Sequence, residues 1–121
     1  MKVKHYRELI VWQKAMELVV ETYRMAKRLP KEETYALSDQ MRRAAVSISS
    51  NIAEGQSRKS SPEFGQFLSI ARGSNAELET QIELGIRLGY FTAEQAEKAV
   101  WLANEVGRML SSLLAKIASS H

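Results

Sequence analysis

Apolar residues recur at helical spacing through almost the whole sequence, and residues that break helices are few and far apart. Only two prolines and six glycines occur in 121 residues. Pro30 closes a first periodic stretch that begins near Leu9. A second runs from about Thr34 to the polar run Ser57-Arg58-Lys59-Ser60-Ser61. Pro62 then follows Ser61, the arrangement of a helix that opens on a serine cap with proline at its first position. The third stretch ends at Gly89, placed for a left-handed C-terminal cap before Tyr90 and Phe91. Thr92-Ala93-Glu94-Gln95 has capping-box spacing and opens the fourth. No alternating strand pattern and no Asn-Gly or Asp-Gly turn interrupts them. The chain is therefore expected to be all-α, a single antiparallel up-down four-helix bundle over residues 1–121. Its helices are expected at about 9–29, 34–57, 62–88 and 93–118.

Stepping about 100° per residue gives each helix a core face. The first collects Trp12, Ala15, Met16, Val19, Tyr23 and Ala26; the second Leu37, Met41, Ala44, Ala45, Ile48 and Ile52. The third presents Phe64, Phe67, Leu68, Ala71, Leu78 and Ile82. The fourth presents Ala96, Ala99, Val100, Ala103, Val106, Leu110, Leu114 and Ile117. At this spacing the aromatic and Met positions read as core packing and not as a cofactor box.

Three features exceed what a lone bundle uses. Val11, Leu18, Met25 and Leu29 form a second apolar seam on the first helix, and exposed it would be a patch that monomers avoid. Gly65, Ser69, Gly73, Ala76 and Thr80 line the third helix away from its core face. Glycine there costs roughly 1 kcal/mol against alanine, which close approach of another backbone would justify. Trp101 points almost opposite the core of the fourth helix. The plain alternative is a wide core face or a tolerated surface residue. Together the three favour a homo-oligomer.

Composition narrows the chemistry. There is no cysteine, and the two histidines, His5 and His121, lie near the chain ends. Thiolate chemistry, a catalytic triad and a multi-histidine metal site have almost nothing to be built from. No catalytic, metal or cofactor residues are assigned, and the chain is expected not to be an enzyme. No apolar run approaches 18 residues and no signal peptide opens the sequence, so a cytoplasmic protein without membrane contact is expected.

Seventeen Lys and Arg oppose 14 Asp and Glu, a formal charge of +3. The excess sits early: residues 1–30 carry seven basic and three acidic groups. The cations form three groups, Lys2, Lys4 and Arg7; Arg42 and Arg43; Arg58 and Lys59. These are the candidate nucleic-acid contacts. One copy would hold a phosphate backbone weakly, and an oligomer would repeat each cluster. No signature of base readout is present, so binding would follow backbone and shape. A polar stripe of Gln40, Arg43, Ser47, Asn51 and Glu54 flanks the second helix's apolar face, and Ser74, Glu77 and Gln81 edge the third. Facing each other, they would form a network that fixes register; otherwise they are solvated edges.

The order of residues resembles a known family. Leu9-Ile10-Val11-Trp12-Gln13-Lys14-Ala15 is followed by Leu29-Pro30, Glu33 and Tyr35-Ala36-Leu37. Then come Gln40-Met41-Arg42-Arg43-Ala44-Ala45-Val46-Ser47-Ile48 and Ser50-Asn51-Ile52-Ala53-Glu54-Gly55. Phe67-Leu68-Ser69-Ile70-Ala71-Arg72-Gly73-Ser74 and Glu77 complete the pattern. From about Leu9 to Leu114 this looks like the four-helix-bundle family of 23S rRNA intervening-sequence proteins. That bacterial family is similar to the accessory variability protein of diversity-generating retroelements, a homopentameric barrel that binds nucleic acid and a reverse transcriptase. The resemblance implies an antiparallel bundle, pentamers and a non-enzymatic role near nucleic acid. Two readings follow: an oligomeric bundle that binds RNA or DNA through basic surface, or a protein-interaction scaffold, for example for a reverse transcriptase.

Overall fold

The computed structural model describes residues 5–119. Its helices are α1 (Ile10–Ala26), α2 (Leu37–Gln56), α3 (Ser61–Arg87) and α4 (Ala93–Ser119). Short 3₁₀ turns precede α1 (Tyr6–Glu8) and α2 (Lys31–Glu33). No strand occurs among the described residues. α1 packs on α2 and α4, and α3 packs on the same two, which closes a four-helix bundle.

The helix ends follow local chemistry. Pro30 has no N–H to donate and disfavours helical backbone at Leu29. α1 accordingly stops at Ala26, three residues before the expected end, and the chain leaves through 3₁₀-type bonds from Arg28 to Met25 and Leu29 to Ala26. α2 begins at Leu37 and not Thr34, since the second 3₁₀ turn occupies the intervening chain; the Glu33 carboxylate accepts from the Leu37 N–H at 3.2 Å. Ser60, one residue before the serine expected, caps α3. Its Oγ accepts from the Glu63 N–H and donates to the Glu63 carboxylate. Thr92 and Gln95 exchange the reciprocal bonds of a capping box. Gly89, at φ +83°, ends α3 in the left-handed conformation, with Tyr90 N–H bonded back to the Gly85 carbonyl. That conformation is cheap only for a residue without Cβ.

Burial matches the expected core of α2 completely and that of α3 closely, with Phe64 and Phe67 half-buried. α4 adds Leu102 to its core, while Val100 is 39% exposed. Helix α1 is turned relative to expectation. Leu18 is fully buried, and Val11, Ala15, Thr22 and Met25 share its line, whereas Met16 and Tyr23 are exposed. The seam of Val11, Leu18 and Met25 is thus the core of the bundle and not an interface between copies; Leu29 is half-buried against the same core. Thr22 belongs there because its hydroxyl donates to the Leu18 carbonyl at 2.7 Å, so the side chain brings no unmet polar group inside.

The α2–α3 crossing depends on Gly55. A Cβ at that position would lie 2.7 Å from the Cβ of Phe67 and 3.3 Å from the Phe64 carbonyl oxygen. Neither atom sits on a side chain's mobile end, so relief requires the helices to separate. Gly55→Ala is expected to lose about 1–3 kcal/mol, seen as a lower urea midpoint followed by circular dichroism. A midpoint equal to the parent's would show that the crossing has slack.

The two connections at the far end are tied together. The Tyr90 phenol donates to the Glu33 carboxylate at 2.8 Å. That bond, then partial burial and the charges of Glu33 and Glu32, hold the phenol above its usual value near 10. The raised value belongs to the folded chain, so this stabilisation is complete below about pH 10 and fades as pH climbs through the folded pKa. Tyr90→Phe is expected to remove that alkaline loss. Thermal melts across about pH 8–11 should give the variant a flatter profile than the parent, and parallel profiles would contradict it.

Candidate nucleic-acid interface

An even number of antiparallel helices puts the start of α1, the end of α2, the start of α3 and the end of α4 at one end of the bundle. That end carries an open cleft whose lining includes Leu9, Gly55, Arg58, Lys59, Ser60, Phe64, Leu113 and Lys116. Close approach of α2 to α3 at Gly55 brings the Arg58-Lys59 connection down beside the last turns of α4. Arg58 is held in place: its guanidinium bonds the Glu54 carboxylate at 2.6 Å and lies 4.8 Å from the Phe67 ring centre. Lys59 and Lys116 are exposed and have no ion pair among the described residues. Arg7 stands on the first 3₁₀ turn, which packs against α2. Its guanidinium is 5.8 Å from the rings of both Tyr6 and Trp12, and the His5 Nδ1 accepts from the Arg7 N–H.

Arg7 and the Arg58–Lys59 pair therefore share an end. Lys2 and Lys4 lie outside the described residues. Arg42 and Arg43 do not join them: they stand in the second turn of α2, about 20 Å along the axis at 1.5 Å per residue. There Arg42 lies 5.9 Å from the Tyr23 ring centre and Arg43 bonds Asp39 at 2.9 Å. Lys116 was missed by grouping cations along the sequence; pairing the end of the fourth helix with the start of the third would have found it. Acids temper the surface, with Glu8 beside Arg7 and Glu63 turned back onto Ser60.

The polar stripe lies between α2 and α3. Ser47 and Ser74 hydroxyls are 2.8 Å apart, and Asn51 Nδ2 donates to the Ser47 carbonyl at 2.8 Å and to its hydroxyl at 3.0 Å. Gln40, Arg43, Glu77 and Gln81 line the same groove. Glu54 is elsewhere, engaged by Arg58. The buried Asn75, not singled out in sequence, donates to the Ala103 carbonyl at 2.9 Å and rests on Gly107. Its Oδ1, like the Oε1 of Gln81, has no partner among the described residues.

The remaining interface candidates separate. Gly65 is half-buried and faces Leu114 and Ile117 of α4, so it belongs to intrachain packing and not to the outer side. Ser69 and Gly73 are exposed, and a Cβ on Gly73 would meet nothing within 4 Å. Trp101 is 50% exposed, with the Lys14 ammonium 4.6 Å from its ring centre. Turning α1 places a different apolar set outside, Met16 and Val20 beside a shallow α1–α4 groove. No group of three or more His, Cys, Asp or Glu among the described residues could hold a metal ion. No helix among them is long and apolar enough to cross a membrane.

A family model described as 23S rRNA-intervening sequence protein matches residues 7–112. A crystal structure from Bacteroides thetaiotaomicron, described as a protein with unknown function from the S23 ribosomal protein family, superimposes with a TM-score of 0.81. The two chains are 32% identical, and the alignment covers 87% of this chain and 98% of that one. No curated protein matches significantly.

Proposed function

This chain belongs to the 23S rRNA-intervening sequence protein family, and on that footing we propose that it binds RNA or DNA through phosphate contacts at its basic end, without catalysis. The observation that carries the reading is the convergence of Arg7, Arg58, Lys59 and Lys116 from separate parts of the chain onto one end. Phosphate contacts need cations free to leave water for an anion, and among the described residues Lys59 and Lys116 have no acid to release first. The working unit in this reading is a cytoplasmic homo-oligomer, five copies following the family resemblance, which multiplies a modest charge into a multivalent surface.

Fluorescence anisotropy with labelled single-stranded RNA and duplex DNA tests it. Log affinity is expected to fall linearly with log salt, at about 0.9 per phosphate neutralised on duplex DNA. Binding that ignores salt, or none at low salt, overturns the reading.

The exposed Met16, Val20 and Trp101 favour a second role for the α1–α4 side. If the protein is monomeric in solution, that side is open to a protein partner, such as the polymerase of a retroelement. Recovery of the partner after nuclease treatment would then separate a scaffold from a nucleic-acid binder.

A further inference from the structure

At the end opposite the basic cleft, residues from α1, the following connection and the first turns of α2 enclose a second, smaller cleft of about 260 Å³. The cleft is open to solvent, and its space is ample for a compact ion with part of its hydration. Lys27, Lys31 and Arg42 line it, together with Thr34, Ser38 and Tyr23. We propose that this cleft is a binding site for a single terminal phosphate group, the dianion of a phosphate monoester.

Three observations converge. First, none of the three cations has an ion pair among the described residues. Of the nearest acids in sequence, two are engaged elsewhere. Asp39 holds Arg43 at 2.9 Å, and the Glu33 carboxylate faces Tyr90 and the Leu37 N–H. Glu32 is exposed and does not line the cleft. Three unopposed positive groups around one recess repel each other and favour an anion among them.

Second, Ser38 is only 7% exposed, yet its hydroxyl has no hydrogen-bond partner among the described residues. The Oγ itself is not among the buried atoms left without a partner, so it reaches solvent. Ser38 lines this cleft, so its hydroxyl is available there to an anion. Third, Ser38 stands in the first turn of a 20-residue helix. Leu37 N–H is taken by Glu33 and Gln40 N–H by the Ala36 carbonyl, whereas Ser38 and Asp39 N–H groups have no acceptor among the described residues. A helix start with free N–H groups favours an anion.

The shape argues for a terminal phosphate over a continuous backbone. A chain of diesters needs cations spread along a track, whereas these three line a single cleft, where a doubly charged anion is favoured over a single charge. The source of the phosphate is either a free mononucleotide or the phosphorylated 5′ end of a nucleic acid, and both present the same group.

Amide resonances of Thr34 and Ser38, followed by NMR at constant ionic strength, test the site with inorganic phosphate as the probe. They are expected to shift saturably, with a Kd of about 1 mM or tighter. Lys31→Ala with Arg42→Ala is expected to weaken binding about tenfold or more. Ser38→Ala, which keeps the fold's apolar volume, should weaken it too. Adenosine 5′-monophosphate should reproduce the shifts and adenosine should not. An oligonucleotide that competes only when 5′-phosphorylated identifies the nucleic-acid end as the source; competition by the mononucleotide alone identifies the free ligand. No saturation by about 10 mM phosphate, or shifts untouched by the double substitution, overturns the site. Lys59→Glu with Lys116→Glu should leave these shifts intact, so loss of polynucleotide binding and loss of phosphate binding are read separately.

Discussion

Leu18→Ala is expected to lower the unfolding free energy by about 3 kcal/mol, within the 2–5 found for buried leucines. Leu18 is fully buried on the line of α1 that faces α2 and α4. Removing it leaves a cavity at the meeting of three helices, where packed neighbours relax only partly. Domains of this size are stable by about 5–15 kcal/mol, so the loss is a large share of the whole. The melting temperature should drop on the order of 10 °C or more. Val20→Glu gives the contrasting result. Val20 is 54% exposed, so its stability change should stay within about 0.5 kcal/mol. A carboxylate on the α1–α4 side should instead reduce the assembled mass measured by light scattering. A stable Leu18→Ala variant that is merely dissociated would place the seam between copies and refute the observed rotation of α1.

The second large effect is expected at the basic end. Lys59→Glu with Lys116→Glu reverses two exposed cations that make no ion pair among the described residues, so the helical signal should be unchanged. Affinity for single-stranded RNA or duplex DNA should fall by about tenfold or more at low salt, and the salt slope should flatten by about two per subunit engaged. Arg108→Glu is the control. Arg108 sits mid-helix on α4, paired with Glu105 at 3.0 Å and away from the cleft. A loss in log affinity for Arg108→Glu about half that of the double variant, in proportion to the charge removed, would mean that overall charge, and not this end, governs binding.

The number of helices was legible because its determinants are local. Pro30, the serine run before Pro62, and Gly89 each act on the backbone within a few residues. The faces of α2 and α3 were legible because apolar and polar residues separate cleanly around them. α1 offers no such separation. Trp12, Met16 and Tyr23 compete with Val11, Leu18 and Met25 for the centre of a broad apolar arc, and the polar Thr22 interrupts the true line. Only the neighbours decide the rotation, and the hydroxyl bond of Thr22 is invisible before a helix exists. Charge was misgrouped for a related reason. Arg58 and Lys59 are adjacent in sequence, but Lys116 joins them through topology. Lys27 and Lys31 likewise meet Arg42 only after the chain turns at Pro30.

The even helix count also governs how the protein can be handled and watched. Residues 5 and 119 lie at the same end as Arg58 and Lys59, so a tag joined next to either crowds the surface proposed to meet nucleic acid. Leu88, 54% exposed after the last turn of α3 and outside the lining of the small cleft at the opposite end, offers a place for a reporter. With no native thiol in the chain, Leu88→Cys would carry a single dye at one defined site. Polynucleotide docking could then be followed from the far side of the bundle.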